Sequence, residues 1–289
     1  MSVQPSTPAR SGYFYAAACV LIWSGFVLVS RVAGKTPLNG FDLTALRFGV
    51  AAVLLLPLWW RFARVPLFTP RMLLLAATGG IGYALLVYSS FRFAPAAHGA
   101  VLLSGLLPFF VTAVAWWRLG EAPRPSLRGA LLCIALGVGA LGAHSLHDLG
   151  TSWPGDLMMV GASFLWALYT ILVKQSGFTP WQTTTGVALL SALIYLPVYA
   201  LLLPKGMADV PLRDVLVQGF YQGVLVVIVA MVLYMQAMVR LGPTRLGAVM
   251  ATVPAVAGLS ATLVLGEPFS VLLVAGLVLT SAGAWLGSR

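Results

Sequence analysis

Acidic side chains are scarce in this chain. There are 7 Asp and Glu among 289 residues, and charged residues of both signs make up only 8%, against roughly 25% in an ordinary soluble domain. A soluble globular protein is thereby excluded. Cysteine is nearly absent, and because Cys19 and Cys133 both fall inside apolar runs, neither a disulfide framework nor a thiolate metal site is implied. Long polar connections are missing too. No segment between apolar runs exceeds roughly ten residues, which is shorter than a small independently folding domain, so no catalytic or sensory module is expected outside the bilayer.

What the chain has is apolar length: 60% hydrophobic residues and a mean hydropathy of +0.95. Only helices and closed barrels satisfy every backbone polar group in lipid. Runs of about 20 residues without two-residue alternation select helices. Reading between charges, Pro and Gly predicts ten spans, at 13–34, 42–60, 71–94, 96–119, 125–144, 154–174, 181–203, 212–241, 243–266 and 270–287. The first span is too long and too aromatic for a cleaved signal peptide. Ala16-Ala17-Ala18-Cys19 lacks the preceding apolar run and the leucine of a lipoprotein cleavage site.

The 17 Lys and Arg give a formal net charge of +10 and a pI near 10.1. They stand singly or in pairs between apolar runs, as residues that pin loops to one side of a bilayer do, so nucleic acid is not an expected partner. With the N-terminus inside, 11 fall near inner span ends and 5 near outer ones, which predicts cytoplasmic termini.

The two halves resemble each other. Leu119-Gly120-Glu121-Ala122-Pro123 and Leu265-Gly266-Glu267-Pro268 are 146 residues apart, as are Pro108 and Pro254. Arg92-Phe93-Ala94-Pro95 matches Arg240-Leu241-Gly242-Pro243 at 148, and Trp23 with Arg31 matches Trp166 with Lys174 at 143. The expected units are 11–144 and 154–289, each of five spans. Because five is odd, the second unit enters the membrane from the opposite side. Inverted repeats of this kind recur in secondary transporters, where exchanging the conformations of the halves opens a central site to either side.

Two five-helix units, each with a Trp-bearing first helix, a Pro-bearing fourth helix and a terminal Leu-Gly-Glu, resemble the drug/metabolite transporter superfamily, in particular its ten-helix EamA-type members. Within it the chain is most similar to the bacterial exporters of amino acids, including aromatic ones. The resemblance implies an all-α polytopic membrane protein, with two inverted five-helix repeats around a central cavity. It also implies a bacterial cytoplasmic membrane, a small-molecule substrate, and neither cofactor nor catalysis; a monomer suffices.

The carboxylates Asp42, Glu121, Asp148, Asp156, Asp209, Asp214 and Glu267 all map to loops or span ends. An intramembrane carboxylate usually marks proton or ion coupling, so their positions favour transport without obligatory coupling. Glu121 and Glu267 occupy equivalent span ends, as gate ion pairs with Arg31, Arg92 or Arg240 or as caps that hold helix ends. Arg47, a turn and a half inside span 2, has three readings: snorkelling to the surface, pairing with Asp42, or holding a substrate carboxylate.

Trp23 and Trp166 lie mid-span, where Trp facing lipid is unusual, and each indole N–H needs a partner. With Tyr83, Tyr169, Gln222 and His98 they are the candidate substrate-binding residues; Tyr221, Tyr234 and Gln236 are further candidates. His98 is also read as a pH sensor or a satisfied helix-terminal histidine. Such a lining suits amphipathic substrates with an apolar body and hydrogen-bonding ends. Amphipathic cations held by cation–π contacts are the second reading. An intramembrane enzyme is a remote third, since no set of catalytic groups lies at depth.

Pro57, Pro108, Pro197 and Pro254 are placed to kink helices, as hinges or as fixed bends. Gly137-Val138-Gly139-Ala140-Leu141-Gly142 spells a dinucleotide fingerprint but has no strand before it. Its small residues instead allow close helix approach, as do Gly276, Gly283 and Gly287 in span 10. His144-Ser145-Leu146-His147-Asp148 offers too few ligands for a metal.

Overall fold

In a computed structural model, residues 8–62, 64–120, 127–147, 151–267 and 270–287 are described, and among them there is no strand. Ten apolar helices follow the predicted spans: α1 (Pro8–Gly34), α2 (Gly40–Arg61), α3 (Pro70–Phe93), α4 (Ala96–Leu119), α5 (Leu127–His147), α6 (Trp153–Ser176), α7 (Pro180–Leu202), α8 (Leu212–Gly242), α9 (Arg245–Leu265) and α10 (Val271–Gly287). The protein is a multi-pass membrane protein. Residues 121–126, with Glu121, and Asp148 lie outside the described residues, as do the side chains of His144 and His147.

Local chemistry sets the helix ends. Asn39 caps α2 through a reciprocal box with Asp42, and Thr179 caps α7 through one with Gln182, each satisfying N–H groups that a helix start leaves unpaired. The repeated Leu-Gly-Glu has a physical reason. Its glycines, Gly120 and Gly266, end α4 and α9 at φ +68° and +65°, a left-handed conformation that costs glycine little and other residues more.

The two five-helix repeats interlock. Helix α1 packs on α8 and α9, and α6 packs on α3 and α4, while α2 pairs with α7 and α5 with α10. Exchanging each helix for the one five places along leaves this scheme unchanged, as a pseudo-two-fold axis requires. The α5–α10 contact uses the small residues read from the sequence. A Cβ on Gly137 would lie 2.9 Å from the Gly276 carbonyl oxygen, and one on Gly283 would lie 2.7 Å from that of Ala130, so the backbones touch.

The irregularities also repeat. Helices α3 and α8 each contain a π-helical stretch, at Ala76–Gly82 and Phe220–Val229. Helix α4 has one at Ala100–Gly105, and α9 breaks at the equivalent Ala251 and Thr252. Pro108 and Pro254 stand in the first turn of the helix that resumes after each break, where a missing N–H costs nothing. Pro57 and Pro197 do lie within α2 and α7.

Candidate functional site

The middle of the bundle holds the aromatic candidates, joined in pairs across the repeats. Trp166, about 20 Å along α6 at 1.5 Å per residue, packs on Tyr83 of α3 with ring centroids 4.6 Å apart and on Tyr169 at 5.0 Å. Trp23, midway along α1, packs on Tyr234 of α8 at 5.6 Å. Each repeat's first helix thus lends its Trp to a Tyr on the third helix of the other.

Local backbone places these rings. Tyr83 follows directly on the π-helical stretch, where Gly80 leaves helical conformation (φ −91°, ψ −106°), and π-turns of this kind re-aim side chains at functional sites. Gly79 is needed for space, because a Cβ there would lie 2.3 Å from the Tyr169 ring. Trp23, Tyr83, Trp166 and Tyr169 are only half-buried although they stand mid-helix. Neither the Trp23 nor the Trp166 indole has a hydrogen-bond partner among the described residues. Half-buried rings with free N–H groups are suited to meet a ligand that carries an apolar body and hydrogen-bond acceptors.

Beside the rings runs a buried polar chain. Arg47 Nη1 donates to the Tyr88 hydroxyl at 3.1 Å, and that hydroxyl donates to Gln222 Oε1 at 3.0 Å. The Gln222 amide in turn donates to Ser30 Oγ at 3.2 Å and to Gln218 Oε1 at 3.3 Å. Helices α1, α2, α3 and α8 are joined through it. Arg47 is 7% exposed, so it does not snorkel. Nor does it pair with Asp42, whose carboxylate accepts from the Tyr199 hydroxyl at 2.6 Å, from the Gly206 N–H at 3.0 Å and from the Asn39 N–H at 2.9 Å.

A second cluster ties one end of the bundle together. Glu267 accepts from the backbone N–H groups of Ala96 and Ala97 at 2.9 and 3.0 Å, capping α4, and its Oε1 lies 3.4 Å from Arg31 Nε. Arg31 also donates to the Phe91 carbonyl at 2.6 Å. His98 Nδ1 stands 2.8 Å from Asp156 Oδ1. One carboxylate thus both caps α4 and pairs with Arg31.

Some candidates are not brought to the centre. Asp156, the partner of His98, lies ten residues before Trp166 on α6, or about 15 Å along the axis. Gln236 is exposed and bonded to Arg240. Tyr221 donates to the Ile22 carbonyl at 3.0 Å and so serves helix packing. Tyr88, Ser30 and Gln218 are participants that sequence reading missed; their one signal was a polar tip inside an apolar span. A recess of about 400 Å³ lies on the α2–α7 flank, lined by Leu56, Trp59, Leu67, Leu189, Leu193 and Pro197 among others. It is apolar, and of the sequence candidates only Pro197 reaches it.

The profile of the EamA-like transporter family matches this chain twice, over residues 10–142 and 153–289. A protein of Archaeoglobus fulgidus described as an uncharacterized transporter is 26% identical over 283 residues, covering 93% of this chain and 94% of its own. A solved crystal structure superposes with a TM-score of 0.64 at 21% identity, over 96% of this chain and 97% of that one, a likeness of fold.

Proposed function

Because the chain belongs to the EamA-like transporter family and is a membrane transporter, we propose that it exports amino acids or related small amphipathic metabolites by alternating access, without obligatory proton coupling. One observation carries the reading: the pairs Trp166–Tyr83 and Trp23–Tyr234 are exchanged between the repeats where these interlock. A site bounded equally by both halves changes its exposure when the halves exchange conformations. Aromatic faces with free indole donors accept an apolar body and hydrogen-bonding ends.

The distribution of Lys and Arg supports cytoplasmic termini in a bacterial inner membrane. On that topology the Arg31–Glu267 end faces outward and the arrangement is closed to the outside. The break at Leu106 before Pro108 and that at Thr252 before Pro254 are where α4 and α9 would bend. The described carboxylates lie at helix ends and in connections, and Asp42 and Glu267 are engaged with backbone N–H groups, which supports transport without a proton-binding acid at depth. Arg47, buried and bonded to Tyr88 five residues after Tyr83 on α3, places a cation near these rings and disfavours an amphipathic cation there.

The purified protein in liposomes, supplied with labelled Phe, Thr or Met, tests the reading. Saturable flux of at least one amino acid is expected, and none with any of them would refute the amino-acid assignment.

A further inference from the structure

We propose that Arg47 is the docking point for a carboxylate on the transported molecule, so that the substrate binds by its acid group on Arg47 and lays its apolar body against Trp166, Tyr83 and Tyr169. The inference deepens the transport reading above and rests on it.

The first argument is the unbalanced charge. Arg47 is 93% buried, within α2 about 10 Å from its start. Among the described residues no carboxylate pairs with it. A cation at such depth is costly and ordinarily has a partner, a protein anion or one that function supplies. The one acid on its own helix, Asp42, is filled by Tyr199, Gly206 and Asn39.

The second argument is unused valence. A guanidinium offers five N–H donors in a planar fork that matches a carboxylate. Arg47 commits one of them, to Tyr88, and its Nε is buried with no hydrogen-bond partner. The Phe48 ring, 5.9 Å from the guanidinium carbon, compensates the charge only in part.

The third argument is position. Tyr88, which accepts from Arg47, follows Tyr83 by five residues on α3, about 7.5 Å along the axis, and Tyr83 packs on Trp166, so the cation and the half-buried rings share one neighbourhood. Ser191, against whose Oγ a Cβ on Gly80 would lie at 2.4 Å, holds a further buried polar atom without a partner beside the same distorted turn.

The test uses the full-length protein, the variants Arg47→Met and Arg47→Lys, and three probes: phenylalanine, 3-phenylpropionate, and phenethylamine, which lacks the acid. Thermal unfolding in detergent should shift upward with the two carboxylates and not with phenethylamine. Arg47→Met should fold with a midpoint no lower than the parent's, because it removes an unpaired charge, and should lose the shift; Arg47→Lys should keep part of it. In liposomes the half-saturation concentration for phenylalanine should rise at least about tenfold in Arg47→Met, as expected when one member of a desolvated ion pair is removed.

A parent without a carboxylate-dependent shift overturns the proposal. So does an Arg47→Met protein that keeps the shift, or one that no longer folds, which would make Arg47 a packing residue. A parent that shows the shift but carries no amino acid supports the anion site while refuting the transport reading, so the two failures are distinguishable.

Discussion

Arg31 in α1 and Glu267 after α9 lie 3.4 Å apart, and the same Glu267 carboxylate holds the first two N–H groups of α4. One side chain therefore joins both repeats at one end of the bundle. Hydrogen bonds to a charged group contribute about 1.5–3 kcal/mol each, and each 1.4 kcal/mol is a factor of ten in population. Glu267→Ala should raise the open fraction of that end at least tenfold. Ser30 is fully buried; a Ser30→Cys reporter in a Cys19→Ala, Cys133→Ala background should react with a water-soluble maleimide in the Glu267→Ala protein and hardly at all otherwise. Equal labelling would show that the contact does not close this end.

The exchanged aromatic pairs should matter for transport more than for folding. Trp166→Ala and Trp23→Ala each remove a contact with a ring about 5 Å away, of the kind that contributes about 0.5–1.5 kcal/mol beyond area burial. Initial flux should fall at least fivefold in each, with unchanged elution on size-exclusion chromatography. Tyr83→Phe, which keeps the ring, should retain most of the flux.

Close packing of the fifth helices predicts a contrast between two glycines. Gly276 lies against the Gly137 carbonyl, whereas a Cβ on Gly139 would meet nothing within 4 Å. Gly276→Val should destabilise by about 1–3 kcal/mol, the usual cost of forcing methyl groups into a filled contact. Gly139→Ala should leave the unfolding midpoint within a degree or two.

Transport without proton coupling predicts equal initial flux with and without a pH gradient of 2 units at fixed membrane potential. Flux that appears only with the gradient would contradict uncoupled transport.

The fold was legible in the sequence because it is periodic on two scales. Apolar runs gave ten spans, and Trp23 with Trp166, Pro108 with Pro254 and the two Leu-Gly-Glu motifs gave the repeat. Long-range pairing was not legible. Nothing local to Trp166 reveals that its neighbour is Tyr83, since the contact depends on how α6 crosses α3. Arg47 misled for a related reason. An Arg a turn and a half inside a span ordinarily reaches the surface, and only the packed bundle shows Tyr88 holding it inside. Pro108 and Pro254 were placed correctly, but the π-stretch of α4 and the break in α9 that precede them leave no single-residue signature.

Counterflow tests alternating access most directly. Liposomes containing the protein are loaded with a saturating unlabelled amino acid chosen from those that show flux, then diluted into a trace of the labelled form. A carrier whose central site faces one side at a time exchanges label for unlabelled substrate, and internal label should rise transiently above its equilibrium level before decaying. A monotonic approach to equilibrium with no overshoot, at a rate indifferent to the internal load, would contradict the account.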